Sequence, residues 1–191
     1  MQWRNDSRAY GLLSIAMHWL MLLLLVAVYA CIELRVLFDN DSPPREALKS
    51  WHFTLGLTVW VLVWLRLAFR LGRPRPLIVP SPRAWQLTMA QLMHAALYGL
   101  MLAMPLLGWL MFNANDASPR WLWVELPRLI APNEALGARI KSIHVNIGKA
   151  GYALIGLHTA VALTHHYVMR DNTLRRMWPG GHTDAPTGAP S

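Results

Sequence analysis

Residues Ile143–Val168, IHVNIGKAGYALIGLHTAVALTHHYV, decide the fold. The run is long enough to cross a bilayer's hydrocarbon core as one helix, which takes about 20 apolar residues. Yet it carries His144 and His158 inside it, and ionisable side chains within a membrane span are costly enough to mark function. The interval between them is nearly four turns at about 3.6 residues per turn, so both project from one face, about 21 Å apart along the axis.

Three other stretches are as long and as poor in charge: Leu12–Ile32, Trp51–Leu71 and Leu87–Phe112. Only 15% of the 191 residues are charged while 54% are hydrophobic, a balance unlike that of a water-soluble domain. In lipid a helix satisfies its own backbone, and runs this long are not the strands of about 10 residues that build barrels. The expected fold is therefore all-α, an integral membrane four-helix bundle in one domain over residues 1–178. Its helices are expected at about 12–32, 51–71, 87–112 and 143–168. Residues 179–191, rich in Gly, Pro, Thr and Ser, read as a disordered tail.

The net charge of +8 is a topology signal rather than a nucleic-acid footprint. Arg4 and Arg8 precede the first span. Arg66, Arg70, Arg73, Arg75 and Arg83 lie between the second and third, with no acid among them, and Arg170, Arg175 and Arg176 follow the fourth. The other two loops balance their charges. Basic loops stay on the cytoplasmic side, so both termini are expected there. The first apolar run is too long for a signal-peptide core and has no small-residue cleavage site, so it is retained as a helix. The single Cys31 excludes an internal disulfide, and without a C-x-x-C-H motif covalent haem attachment is not expected.

Asp39–Pro44 is a turn cluster, and Arg73–Pro82 is an extended proline-rich loop. The longest loop, Asn113 to about Lys141, contains Trp121-Leu122-Trp123-Val124 and Leu129-Ile130, suited to an element at headgroup depth. Pro105 predicts a kink in the third helix.

The chain has 8 histidines, and His18, His52, His94, His144, His158 and His165 fall in the spans or near their ends. Matching depth pairs His52 with His144 near the periplasmic surface and His18 with His158 near the cytoplasmic one. Each pair could grip one haem iron from both sides, the axial arrangement of an electron-transfer haem. On depth alone His165, one heptad from His158, could replace it as the partner of His18. Zinc fits less well, because the pairs are far apart and no carboxylate or thiolate joins either. Gly56 and Gly148, each four residues past a candidate ligand, would admit a flat group or simply close helix packing.

These residues carry a resemblance. Lys141-Ser142-Ile143-His144, Gly151-Tyr152, Ile155-Gly156-Leu157-His158, His165-His166-Tyr167, Asp171-Asn172-Thr173-Leu174-Arg175-Arg176-Met177 and Pro179 resemble the bacterial cytochrome b-561 family, and within it the inner-membrane superoxide oxidases. The likeness covers nearly the full length, with His18-Trp19 and His52 where that family places ligands. It implies two non-covalent b haems, each with two histidine ligands: His18 and His158 towards the cytoplasm, His52 and His144 towards the periplasm. It also implies electron transfer from periplasmic superoxide to ubiquinone, with protons drawn from the cytoplasm. Other relatives of that kind serve a partner dehydrogenase, collecting its electrons for the quinone pool.

A small anion is drawn by local positive charge. Arg35, Lys49 and Lys141, at the periplasmic helix ends, are candidates for superoxide access or for haem propionates, or they mark the membrane boundary. Lys149, deeper in the fourth helix, could snorkel to the surface or face a propionate. His94, in the cytoplasmic half of the third helix, is the candidate for a quinone or proton role, against a structural hydrogen bond. His165 and His166 lie on the same side.

Overall fold

The computed structural model describes residues 10–70 and 76–178, almost all of them helical or in short connections. The expected tail at 179–191, and Arg4, Arg8, Arg73 and Arg75, lie outside the described residues. Four long helices run α1 Leu12–Leu34, α2 Pro43–Arg70, α3 Ala84–Ala114 and α4 Glu134–Tyr167, with short 3-10 turns at Arg35–Leu37 and Arg175–Met177.

The helices outrun their apolar segments. α2 starts at Pro43, because proline suits a helix's first turn, where no backbone N–H is needed. α4 starts at Glu134: the Asn133 side chain accepts from the Leu136 N–H, and Glu134 sits in the favourable field of the first turn. With 34 residues α4 is about 51 Å long, well beyond a hydrocarbon core of about 30 Å. α1 with its 3-10 extension, α2 and α3 are each long and apolar enough to cross a membrane. α4 falls short on apolarity alone, since Lys149, the four histidines His144, His158, His165 and His166, and its glycines dilute an otherwise apolar helix. Pro105 lies inside α3, as expected.

α1 packs along α2, α3 along α4, and α2 against α3. The buried apolar cluster is Met21 of α1, Val59 and Val63 of α2 and Met101 of α3, flanked by Leu24, Leu25, Val28, Leu62, Tyr98 and Leu102. None of these comes from α4, whose backbone makes only sparse contact with α1 and α2. Large apolar side chains instead cover the outside, among them Leu23, Val26, Trp64, Leu92, Leu157 and Val161. That inversion suits a bundle solvated by lipid.

The long third loop folds into a two-stranded hairpin, β1 Arg120–Trp121 with β2 Val124–Glu125, turning at Leu122-Trp123. Leu122 takes a positive φ of 55° there. The Trp121 indole donates to the Thr58 hydroxyl of α2, and Trp123 stays 83% exposed at the tip. Buried Asn113 anchors the return, its side-chain oxygen accepting from the Leu129 N–H.

Candidate cofactor site

α4 faces α1 and α2 through histidines. The His52 and His144 ring centroids are 6.2 Å apart with planes at 74°, and those of His18 and His158 are 6.4 Å apart at 71°. These are the pairs that depth matching singles out. A bond from imidazole nitrogen to a transition metal is about 2.0–2.1 Å and the nitrogen sits about 1.1 Å from its ring centre, so two imidazoles sharing one metal have centroids about 6.3 Å apart. Both pairs meet that spacing. No cluster of three or more His, Cys, Asp or Glu that could hold a metal exists among the described residues. Each pair thus supplies two nitrogens, and a metal held there needs a macrocycle for its other positions, which is the donor set of haem.

The surroundings of the pairs differ. His52 Nδ1 lies 2.9 Å from the Val28 carbonyl, an acceptor that fixes the N–H on Nδ1 and leaves Nε2 free to bind metal. His144 Nδ1 is buried beside the Met104 carbonyl without a bond in hydrogen-bond geometry. Gly108 gives the His144 ring room: a Cβ there would lie 3.7 Å from His144 Cε1. In the other pair, Arg66 Nη2 lies 3.2 Å from His18 Nδ1, and Arg66 Nε donates to the Tyr98 hydroxyl at 3.1 Å. His94 stands against His158, ring centroids 5.6 Å apart, so it belongs to this cluster rather than beside it.

Gly56 opens on free space, whereas a Cβ on Gly148 would touch the Met104 methyl at 3.4 Å. Between the two pairs α1 and α4 meet through tyrosines. Tyr29 donates to the Gly148 carbonyl, Tyr152 donates to Glu33, and the rings sit 4.4 Å apart. Gly151 makes the notch for Tyr29, since a Cβ there would collide with the Tyr29 hydroxyl.

The remaining candidates scatter. Arg35 closes the C-terminal end of α1 within electrostatic reach of His52, its Nε buried and unpartnered. Lys49 is exposed and paired with Glu46. Lys141 and Lys149 are exposed on α4, Lys141 about one turn before His144. His165 meets the segment after α4: its Nδ1 lies 2.5 Å from the Asp171 carboxylate. His166 stacks edge-on with Tyr167, and its Nδ1 is buried without a partner.

Beyond α4 the chain folds back beneath the His18 pair. Asp171 is 6% exposed and accepts from His165 and the Thr173 N–H; Arg176 is 8% exposed, donates to the Pro76 carbonyl and lies over the Tyr10 ring. Asn172 bonds Val79 and Leu77, and the Trp19 indole donates to the Met177 carbonyl. Burial pushes the Asp171 carboxyl up, but the bonds from His165 and Thr173 outweigh it and hold it below the usual carboxylate range. Burial likewise lowers the Arg176 guanidinium.

Sequence reading treated Arg66 only as a cytoplasmic charge. A signal was present: Arg66 follows His52 at the interval that separates His144 from His158, so α2 presents both on one face, at the two depths of the histidine pairs. Tyr29 and Glu33 had no such signal, because their partners lie on another helix.

A family model described as prokaryotic cytochrome b561 matches residues 9–180. Cytochrome b561 homolog 1 of Escherichia coli strain K12 is 40% identical over 166 residues, 87% of this chain and 94% of that protein. The "Probable superoxide oxidase CybB" of Yersinia pestis is 34% identical over 172 residues, 90% of this chain and 97% of that protein. Cytochrome b561 homolog 2 of Escherichia coli strain K12 is 26% identical over 179 residues, covering 93% and 95%.

Proposed function

The chain belongs to the prokaryotic cytochrome b561 family of bacterial membrane electron-transfer proteins with b-type haem, and on that premise we propose a two-haem superoxide:ubiquinone oxidoreductase. The carrying observation is the pair of histidine pairs, spaced for one metal each and joined through α4. Haem b bound at each pair supplies one-electron redox chemistry. His52 and His144 hold the site nearer the periplasm, and His18 and His158 the site nearer the cytoplasm. α4 spans the membrane with α1–α3, and the basic residues of the α2–α3 loop and of the segment after α4 keep those parts and both termini in the cytoplasm.

Superoxide as donor is supported by the name of the Yersinia pestis relative. Arg35 and Lys141 supply positive charge near the His52 pair for attracting a small anion. Lys49 contributes less, being neutralised by Glu46. Ubiquinone is the acceptor in this reading, reached from the cytoplasmic-side cluster where His94 adjoins His158.

The test is direct. Purified protein shows the reduced absorption bands of b-type haem, two per chain, and reduces a ubiquinone analogue when superoxide is generated beside it. Quinone reduction no faster than in a haem-free control would overturn the superoxide reading. Electron delivery only from a co-purifying dehydrogenase would move the protein to the role of a partner's membrane subunit.

A further inference from the structure

The two histidine pairs are alike in spacing, but His52 in one and His18 in the other meet opposite partners at Nδ1. His52 Nδ1 faces a carbonyl, which can only accept; His18 Nδ1 faces the Arg66 guanidinium, which can only donate. A carbonyl accepting from Nδ1–H makes the imidazole a more basic ligand, favouring the oxidised metal. A metal on His18 Nε2 requires the proton on Nδ1, which Arg66 cannot accept; the guanidinium then gives the ring no basicity and stands beside it as a fixed positive charge, which favours an added electron. Burial strengthens the effect. Arg66 Nη1 is buried without a hydrogen-bond partner, and among the described residues no carboxylate forms an ion pair with Arg66. Tyr98 holds the guanidinium in place through Nε. Arg66 also acts electrostatically on His158, so both members of the pair feel it. Arg35 acts on His52 without a bond between them, and the Val28 carbonyl opposes it at the same ring.

We propose that Arg66 is a positioning residue that raises the electron affinity of the His18/His158 site above that of the His52/His144 site, so that electrons arriving at the periplasmic side run towards the cytoplasmic side. This rests on the reading that each pair holds haem. Haem loss through a missing ligand is separate from it, because Arg66 sets how readily a bound metal is reduced. The fork geometry matters less than the charge here, so lysine is expected to preserve most of the effect.

The experiment is a redox titration of the purified, haem-loaded full chain, followed by its visible bands. It is run in the His52→Ala background, which keeps only the His18/His158 site, and in the His18→Ala background, which keeps only the other. In the first, Arg66→Gln is expected to make reduction about tenfold less favourable, about 59 mV for a one-electron couple. In the second it leaves the titration unchanged. Arg66→Lys retains the parent's midpoint in both, and Arg35→Gln moves only the site kept in the His18→Ala background. An unshifted midpoint for Arg66→Gln in the first background, or an equal shift in both, overturns the proposal. Should Arg66→Gln lose the haem, Arg66→Lys decides: haem kept at the parent's midpoint supports the proposal, and haem lost again overturns it. Failure of the two-haem reading itself shows differently, as missing b-type bands in the unsubstituted protein.

Discussion

His144 and His158 each face a histidine of another helix, at two depths, and their other neighbours differ. His144 rests against Gly108, where a Cβ would meet the ring only in ordinary van der Waals contact, while His158 rests against His94. Substituting one ligand leaves the opposite histidine unable to hold haem alone. His52→Ala and His144→Ala should therefore each lose the same one of two haems, and His18→Ala and His158→Ala the other, as read by haem stoichiometry and the surviving band. His165→Ala should keep both, since the Asp171 carboxylate engages that ring; two haems in His158→Ala with one in His165→Ala would reverse the assignment. Sequence spacing was enough to find the four candidate ligands because helical periodicity converts numbers into faces and depths. It left His165 open, because only the fold-back of Asp171 shows where that ring is turned.

The segment after α4 acts as a strap across the end of the bundle that carries His18 and His158. It ties α4 to the α2–α3 loop through Asn172 and Arg176, and to α1 through Trp19. Asp171 is its buried acceptor, so Asp171→Ala strands the Thr173 N–H and the His165 ring at a cost of about 1–3 kcal/mol. The measurement is thermal unfolding in detergent followed by helical circular dichroism. The carboxyl is held below its ordinary range in the folded chain, so the unfolded chain binds more protons as acid is approached. The carboxylate's contribution is complete above the ordinary carboxylate pKa of about 3.9 and disappears as pH falls through the lower folded value. Wild type and Asp171→Ala should differ most near neutrality and converge in acid; a constant difference down to pH 2 would remove Asp171 as the cause. In the sequence the strap stands out only through a family likeness. Nothing in its composition announces long-range bonds to Leu77, Val79 and Pro76, which depend on how the ends of four helices converge.

For the whole molecule, three helices announce themselves by apolarity, and the fourth is recognisable only when its histidines are read as cargo rather than as interruptions. The expected boundaries fell short at α2 and α4 because an apolar window stops at the first charges, whereas a helix continues into water to its own start signal: Pro43 in the first turn of one, the Asn133 cap in the other. The charge distribution makes the orientation testable. Reporter fusions after Trp178 and in the α2–α3 loop should read as cytoplasmic, and a fusion at Trp123, the exposed hairpin tip, as periplasmic; the opposite pattern would invert the direction of electron flow. α4 bears one histidine of each pair on a single uninterrupted helix, and this has a mechanical meaning. The interval between the two sites is a fixed count of peptide units, so the breathing of neighbouring helices can tilt this gauge but cannot stretch it. A single inserted residue would swing one histidine about a quarter-turn from its partner while leaving the other in place. The spacing of the two histidine pairs is thereby stored as chain length, a quantity that heat and lipid thickness do not alter.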